Sequence, residues 1–290
     1  MPRTLERLRC SACECGPVKR GQRSRERIVD GNVANPHAYP WQISIFSNIR
    51  GFAIYLKNLA EQNNIVLPDD FQEKLTEATS QNMLTHGCGG SIISNYYVIS
   101  AAHCLQEKLE SVIKEFPEDI LEMFLQLPHE MLFYNSQPEY VFIIVGEQNL
   151  PDKITTIEEI ERNSNIRPVI HIKLHEKYDP SHPNIPYDFG LVKLASPLTF
   201  SASVAPVCLP DPASSSTKYA GWTGTVSGWG ATDPDGMNTS TVLKDLEVTV
   251  LSNEECLEKL RDATEDRARA QGVNETMINF LRSNASLLRY

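Results

Sequence analysis

Several features are scarce or missing in these 290 residues, and each absence removes a class of function. No run of 18 apolar residues occurs, so nothing reads as a transmembrane helix and no membrane span is expected. Positive charge is short: 27 Lys and Arg stand against 37 Asp and Glu, a formal net charge of −10. Nucleic acid is therefore not an expected partner, because phosphate backbones are bound by clustered cations. The N-terminus, MPRTLERLRC, lacks the apolar h-region of a secretory signal and does not read as a signal peptide. Beyond Gly230 only two glycines remain, Gly236 and Gly272, with four serines, Ser240, Ser252, Ser283 and Ser286. The cysteine count is odd. The seven, at 10, 13, 15, 88, 104, 208 and 256, leave at least one without a partner in the chain.

What is present points to a folded protein. A content of 41% hydrophobic and 22% charged residues is enough for one large or two small cores. Charge is unevenly placed: residues 1–27 hold eight Lys/Arg and three Glu, a net +5, which leaves −15 on the rest. A basic leader precedes an acidic body. Three glycosylation sequons start at Asn238, Asn274 and Asn284. With the cysteines they lean towards an oxidising, secretory compartment.

Short β-branched runs bounded by turn residues recur at 39–46, 91–100, 139–145, 166–174, 189–194, 222–228 and 245–250. That texture predicts an all-β barrel or sandwich. Two stretches interrupt it. In 50–84, Phe52, Tyr55, Leu56 and Leu59 fall on one helical face, and Phe71, Leu75 and Ala78 repeat it after Pro68-Asp69-Asp70. In 105–126, Leu105, Leu109, Val112, Ile113 and Phe116 do the same, followed by Ile120, Leu121, Phe124 and Leu125. Both read as helical insertions in a β fold. A charged helix is also expected over 254–270.

Four blocks follow in a telling order: RIVDG (27–31) before PHAYPWQISI; CGGSIIS…VISAAHC (88–104); YDFGLVKLASPLTFSASVAPVCLP (187–210); and TGTVSGWGAT (223–232) leading to LKDLEVTVLSNEEC (243–256). Together they resemble the trypsin-like branch of the chymotrypsin family of serine endopeptidases, over about residues 27–46, 86–104 and 139–278. The resemblance implies two antiparallel β-barrels with a catalytic cleft between them. The first would span about 28–180 with helical insertions at 47–85 and 105–138, and the second, partial, about 195–278. Residues 279–290 read as a tail without family character.

By resemblance His103 is the general base and Asp188 the carboxylate that orients it. A serine hydroxyl is a poor nucleophile until a base takes its proton, and the base needs an acceptor to fix its tautomer. Asp179 and Asp152 are rival carboxylates, but no matching apolar strand follows them. Tyr187 stands where the family usually has Asn. The resemblance also implies a Cys88–Cys104 disulfide, a tether from Cys15 to Cys208, and an orphan Cys256; Cys10 and Cys13 are left unassigned. Cleavage between Arg27 and Ile28 by an activating protease would convert a zymogen, and the substrate would be a protein or peptide. No cofactor is implied. No metal set is visible: His171 and His175 are spaced i, i+4 but lie in or just after a strand, without a third ligand near. The family and the cysteines together imply an extracellular, secreted protein.

The nucleophile is the missing piece. None of the serines after Gly230 has glycine two residues before it or Gly-Gly after it. Ser91, in CGGSI, and Ser227, in SGWG, are decoys in the wrong parts of the fold. GVNETMI (272–278) matches the family, but Asn279 stands where a cysteine belongs. The expectation is a trypsin-like sequence truncated at both ends, an incomplete gene model or splice product, inactive as it stands. The rival is a non-catalytic protease homologue acting as a binding or regulatory module, with the insertions restricting the cleft or docking a partner. A transcript read past Tyr290 decides between them: a frame encoding Cys-Ala-Gly and then Gly-Asp-Ser-Gly-Gly is expected, and an in-frame stop at that point overturns the truncation.

Overall fold

Period-two burial builds the first layer of the structure. The computed structural model describes residues 15–16, 31–80, 84–109, 118–151, 162–182, 187–210, 218–232, 239–256 and 258. Within them lie β1 (Asn32–Val33), β2 (Gln42–Asn48), β3 (Leu84–Ile92), β4 (Tyr97–Ser100), β5 (Gln106–Lys108), β6 (Phe133–Asn135), β7 (Val141–Val145), β8 (Ile166–Leu174), β9 (Gly190–Leu194), β10 (Thr223–Gly228) and β11 (Lys244–Thr249). Helices α1 (Ile49–Gln62), α2 (Asp69–Ser80) and α3 (Glu118–Leu125) lie among them in the described residues.

Six strands close into an antiparallel barrel in the order β2-β3-β4-β9-β8-β7. On β9, Gly190, Val192 and Leu194 are buried while Leu191 and Lys193 alternate with them. Ile43, Ile45, Ile92, Val98, Leu105, Ile143, Val145, Val192 and Leu194 fill the interior. Strand β7 is buried on both faces. Its Ile143 and Val145 point into the barrel, and Ile144 joins Phe46, Leu84, Ile166, Trp229 and Leu243 in a second core outside it. That outer core seats the three-stranded sheet β1-β11-β10 against the barrel. On this second sheet the cross-strand partners Val226 and Leu246 are 47% and 39% exposed.

The all-β class with a closed barrel and a second sheet is as expected. The first barrel runs further than residue 180, because β9 is needed to close it. The run 91–100 is not one strand but parts of two, β3 and β4, paired through Ser91↔Ile99 and Ile92↔Val98.

Helix α1 continues directly from β2. The Asn48 side chain accepts a hydrogen bond from the Arg50 amide and caps it. Asn64, with φ 56°, ends it in the left-handed conformation that asparagine tolerates. Helix α2 starts after Pro68 with Asp69 and Asp70 in its first turn, where carboxylates favour the positive end of the helix. The helix expected over 105–126 is corrected at its start: Leu105 ends a short 3-10 turn and Gln106–Lys108 form β5 paired with β6. Glu118–Leu125 are helical as expected, and residues 110–117 lie outside the described residues. Leu105 and Leu109 share a helical spacing but serve different cores, Leu105 the barrel and Leu109 the helical cluster.

The two insertions form one cap. Phe52, Leu56, Leu59 and Leu75 of the first pack with Leu109, Phe124 and Tyr134 of the second. Gly51 permits this approach, since a Cβ there would meet Tyr134 Oη at 2.5 Å and collide with the Tyr140 ring. A cavity of about 320 Å³ remains between α1, α2, Tyr134 and Tyr140. Of the helix expected over 254–270, only its first residues are described; Arg27, Ile28, Asn238, Asn274, Asn284 and the tail 279–290 lie outside the described residues. No helix among the described residues is long and apolar enough to cross a membrane.

Phe124 is fully buried in the cap and comes from the second insertion alone. Phe124→Ala is expected to cost the cap about 3–5 kcal/mol. Hydrogen exchange should then show α1 and α2 amides losing protection while β7 and β9 keep theirs; equal loss in the barrel would mean that cap and barrel form one cooperative unit.

Candidate active site

Strand pairing brings together two side chains that are far apart in the chain. Ser100, the last residue of β4, pairs with Gly190, the first of β9. The chain leaving β4 turns through Ala102–Cys104, and the chain entering β9 arrives through Tyr187–Phe189. His103 and Asp188 therefore meet at one end of the barrel. Gly190 allows the close fit: a Cβ there would lie 2.8 Å from Leu105 Cδ1.

Asp188 is clamped on His103 by both oxygens. His103 Nδ1 lies 2.6 Å from Asp188 Oδ2, and the His103 backbone N–H donates to Asp188 Oδ1 at 2.8 Å. The carboxylate accepts, so Nδ1 carries the proton and Nε2 holds the lone pair. The side chains are 54% and 2% exposed, so the imidazole reaches solvent over a buried carboxylate. The hydrogen bond to Asp188 raises the pKa of His103 above the ordinary imidazole value, opposed by partial burial and assisted by the charge of Asp188. Nearby, burial and then the charges of Asp188 and Asp179 push the Tyr178 hydroxyl up to about 12. Chemically, the pair can take a proton at Nε2 and stabilise the imidazolium that results.

A disulfide joins Cys88 on β3 to Cys104, the residue after His103. Closing a loop of this length is worth about 3 kcal/mol by chain entropy, and it fixes the turn that carries the imidazole. A second disulfide joins Cys15 to Cys208, and Gly16 donates its N–H to the Pro206 carbonyl at 3.2 Å. Cys256 is a free thiol. The sulfurs of Cys88 and Cys104 and the His103 ring lie within 4.8 Å of one another. Because the two sulfurs are bonded together, neither offers a thiolate to a metal.

The other sequence candidates fall elsewhere. Asp179 accepts from the Ser181 hydroxyl and amide, which lowers its pKa, and faces solvent. Asp152 lies outside the described residues. Ser91 is buried within β3, and the Ser227 hydroxyl donates to Gln42 Oε1 at 2.8 Å. His171 lies on β8 opposite Lys193, while His175 stacks on Tyr187.

Two contacts had no sequence signal. Ser44 Oγ lies 2.6 Å from His86 Nδ1, a serine–histidine pair hidden between β2 and β3. Ser44 is fully buried, so no substrate reaches it, and burial lowers the pKa of His86. The neighbours of Asp188, His175 and Tyr178, were legible only through the hairpin register: Leu174 pairs with Gly190, which sets the residues after 174 across from those before 190.

The chain matches the family model described as Trypsin over residues 69–118 and 146–285; the match omits 119–145, which carries most of α3 and all of β6 and β7. It is 26% identical over 230 residues to the clotting factor G beta subunit of Tachypleus tridentatus, covering 79% of this chain and 52% of that protein. It is also 26% identical over 253 residues to the serine proteinase stubble of Drosophila melanogaster, covering 87% of this chain and 23% of that one. This chain thus spans about half of the first relative and under a quarter of the second.

The raised pKa of His103 gives the clamp a pH signature. Its charge-pair contribution is fully present below the unfolded imidazole value of about 6.5 and is lost as pH rises through the raised folded value. Urea titrations should show a wider stability gap between the unmodified chain and Asp188→Asn at pH 6 than at pH 9. A gap that widens with pH would contradict the pairing.

Proposed function

The chain belongs to the trypsin family, and on that premise we propose that it carries the base and the carboxylate of a serine endopeptidase site without its nucleophile. The observation behind this reading is the two-point clamp of Asp188 on an exposed His103. It leaves Nε2 as the one ring nitrogen free to accept a proton from a hydroxyl in front of it. The substrate class is a protein or peptide.

The 290 residues contain no serine in a Gly-Asp-Ser-Gly-Gly setting. Loss of the nucleophile alone costs about a millionfold in subtilisin. We therefore read this chain as inactive in peptide hydrolysis. Zymogen conversion at Arg27–Ile28 rests on the basic tract Arg20–Arg27 and the Ile-Val dipeptide after it. Secretion is supported by the Cys88–Cys104 and Cys15–Cys208 disulfides, which persist in oxidising compartments.

A second reading has its own support. The closed barrel and the two-insertion cap are built without the nucleophile segment, as a non-catalytic binding or regulatory homologue requires.

A fluorophosphonate probe, which labels activated serines, tests the first reading. The expected result is no labelling above that of a His103→Ala control. Stoichiometric labelling of the purified chain overturns it.

A further inference from the structure

Tyr187, the residue before Asp188, has a left-handed backbone with φ 57°. A tyrosine has no local reason to adopt it, because its Cβ is crowded there; glycine and asparagine are the residues that tolerate it. Contacts from a neighbouring strand end hold it instead. The Tyr187 ring stacks on the His175 ring with centroids 4.9 Å apart and planes 8° from parallel, and Lys177 Nζ lies 5.6 Å from the Tyr187 centroid.

His175 is itself pinned. Its backbone N–H donates to the Phe189 carbonyl at 3.0 Å, its Nδ1 accepts from the Lys177 amide at 3.1 Å, and its ring packs on Phe189 with centroids 4.4 Å apart. The Phe189 N–H donates to the Tyr187 carbonyl at 2.7 Å, closing a three-residue turn with Asp188 at its centre. The direction of the Asp188 side chain is set by this turn, and a rotation of the Tyr187 backbone to negative φ would swing it away from His103.

We propose that His175 and Tyr187 are positioning residues: the stacked pair holds Tyr187 left-handed, and that conformation aims both Asp188 oxygens at His103. The proposal rests on the reading of His103 and Asp188 as base and carboxylate. It adds that the carboxylate is aligned by an aromatic stack rather than by the local preference of the residue before it.

The test is nitrogen-15 and proton NMR of the histidine rings in the full 290-residue chain. His175→Ala should lower the titration midpoint of His103 and broaden away the downfield Nδ1 proton. His175→Phe, which keeps an aromatic face, should restore both. Tyr187→Asn should keep both near their original values, because asparagine holds positive φ without help. Adding His175→Ala to Tyr187→Asn should then change little, a non-additivity that a merely structural role of His175 does not produce. Should His175→Ala fail to fold, His175→Leu carries the same comparison. Unchanged His103 signals in His175→Ala, or equal shifts in both backgrounds, overturn the proposal. Asp188→Asn separates the two readings. If it moves His103 while His175→Ala does not, only the stack's role fails; if neither moves it, the base–carboxylate pair fails with it.

Discussion

One backbone pairing carries the rest of the structure: β4 against β9. It joins Tyr97–Ser100 to Gly190–Leu194, and without it the six strands form an open sheet with two bare edges. With it the barrel has an inside, and Ile43, Val98, Ile143 and Val192 leave water together. The same pairing sets the end of β4 beside the start of β9 and so delivers His103 to Asp188. Stability and site geometry are therefore one constraint. The Cys88–Cys104 disulfide reinforces it by tying β3 to the turn that follows β4.

That constraint also explains how the barrel tolerates its insertions. Closure entropy grows only slowly with loop length, so fixed strand ends can hold a long excursion. The register of β2 with β3 runs to Asn48↔Leu84, at the foot of the first excursion. An inserted amphipathic helix must still bury its apolar face. Here each excursion supplies what the other lacks: α1 and α2 offer Leu56, Leu59 and Leu75, and the second brings Leu109 and Phe124. The second excursion begins directly after the His103 turn, with Leu105 anchored in the barrel and Leu109 in the cap. The cap is thus coupled to the site's backbone by the short strand between them.

How much of this was legible in the sequence follows from which interactions are local. Strands β7, β8, β9, β10 and β11 stand out because β-branched residues and turn signals mark them within a few positions. Helices α1 and α2 were legible from their spacing and from Pro68-Asp69-Asp70. The misreading over 105–109 arose because periodicity counts apolar residues without knowing which core each enters. Strands β5 and β6 are three residues each and exist through their partner alone, so no local signal marks them. At the site, His103 and Asp188 came from motif resemblance. The left-handed Tyr187 and its stack on His175 are products of β8–β9 register, which a one-dimensional reading does not contain.

The chain also holds an internal comparison between two histidines. His86 and His103 each make a 2.6 Å contact through Nδ1, one to Ser44 and the other to Asp188. A serine hydroxyl adds no charge, so burial dominates at His86 and lowers its pKa. A carboxylate does add charge, so the bond to Asp188 outweighs burial at His103 and raises it. The partner's charge, not the distance, sets the sign. Access differs as well, since Ser44 is sealed between strands while His103 is half-exposed above its carboxylate. A serine–histidine contact alone is therefore a poor mark of a nucleophile. Proton transfer at neutral pH is favoured by an acceptor whose charged form the protein stabilises and which faces a hydroxyl that substrate can reach, and His103 on Asp188 has that stabilised charge where His86, set on the buried Ser44, has neither.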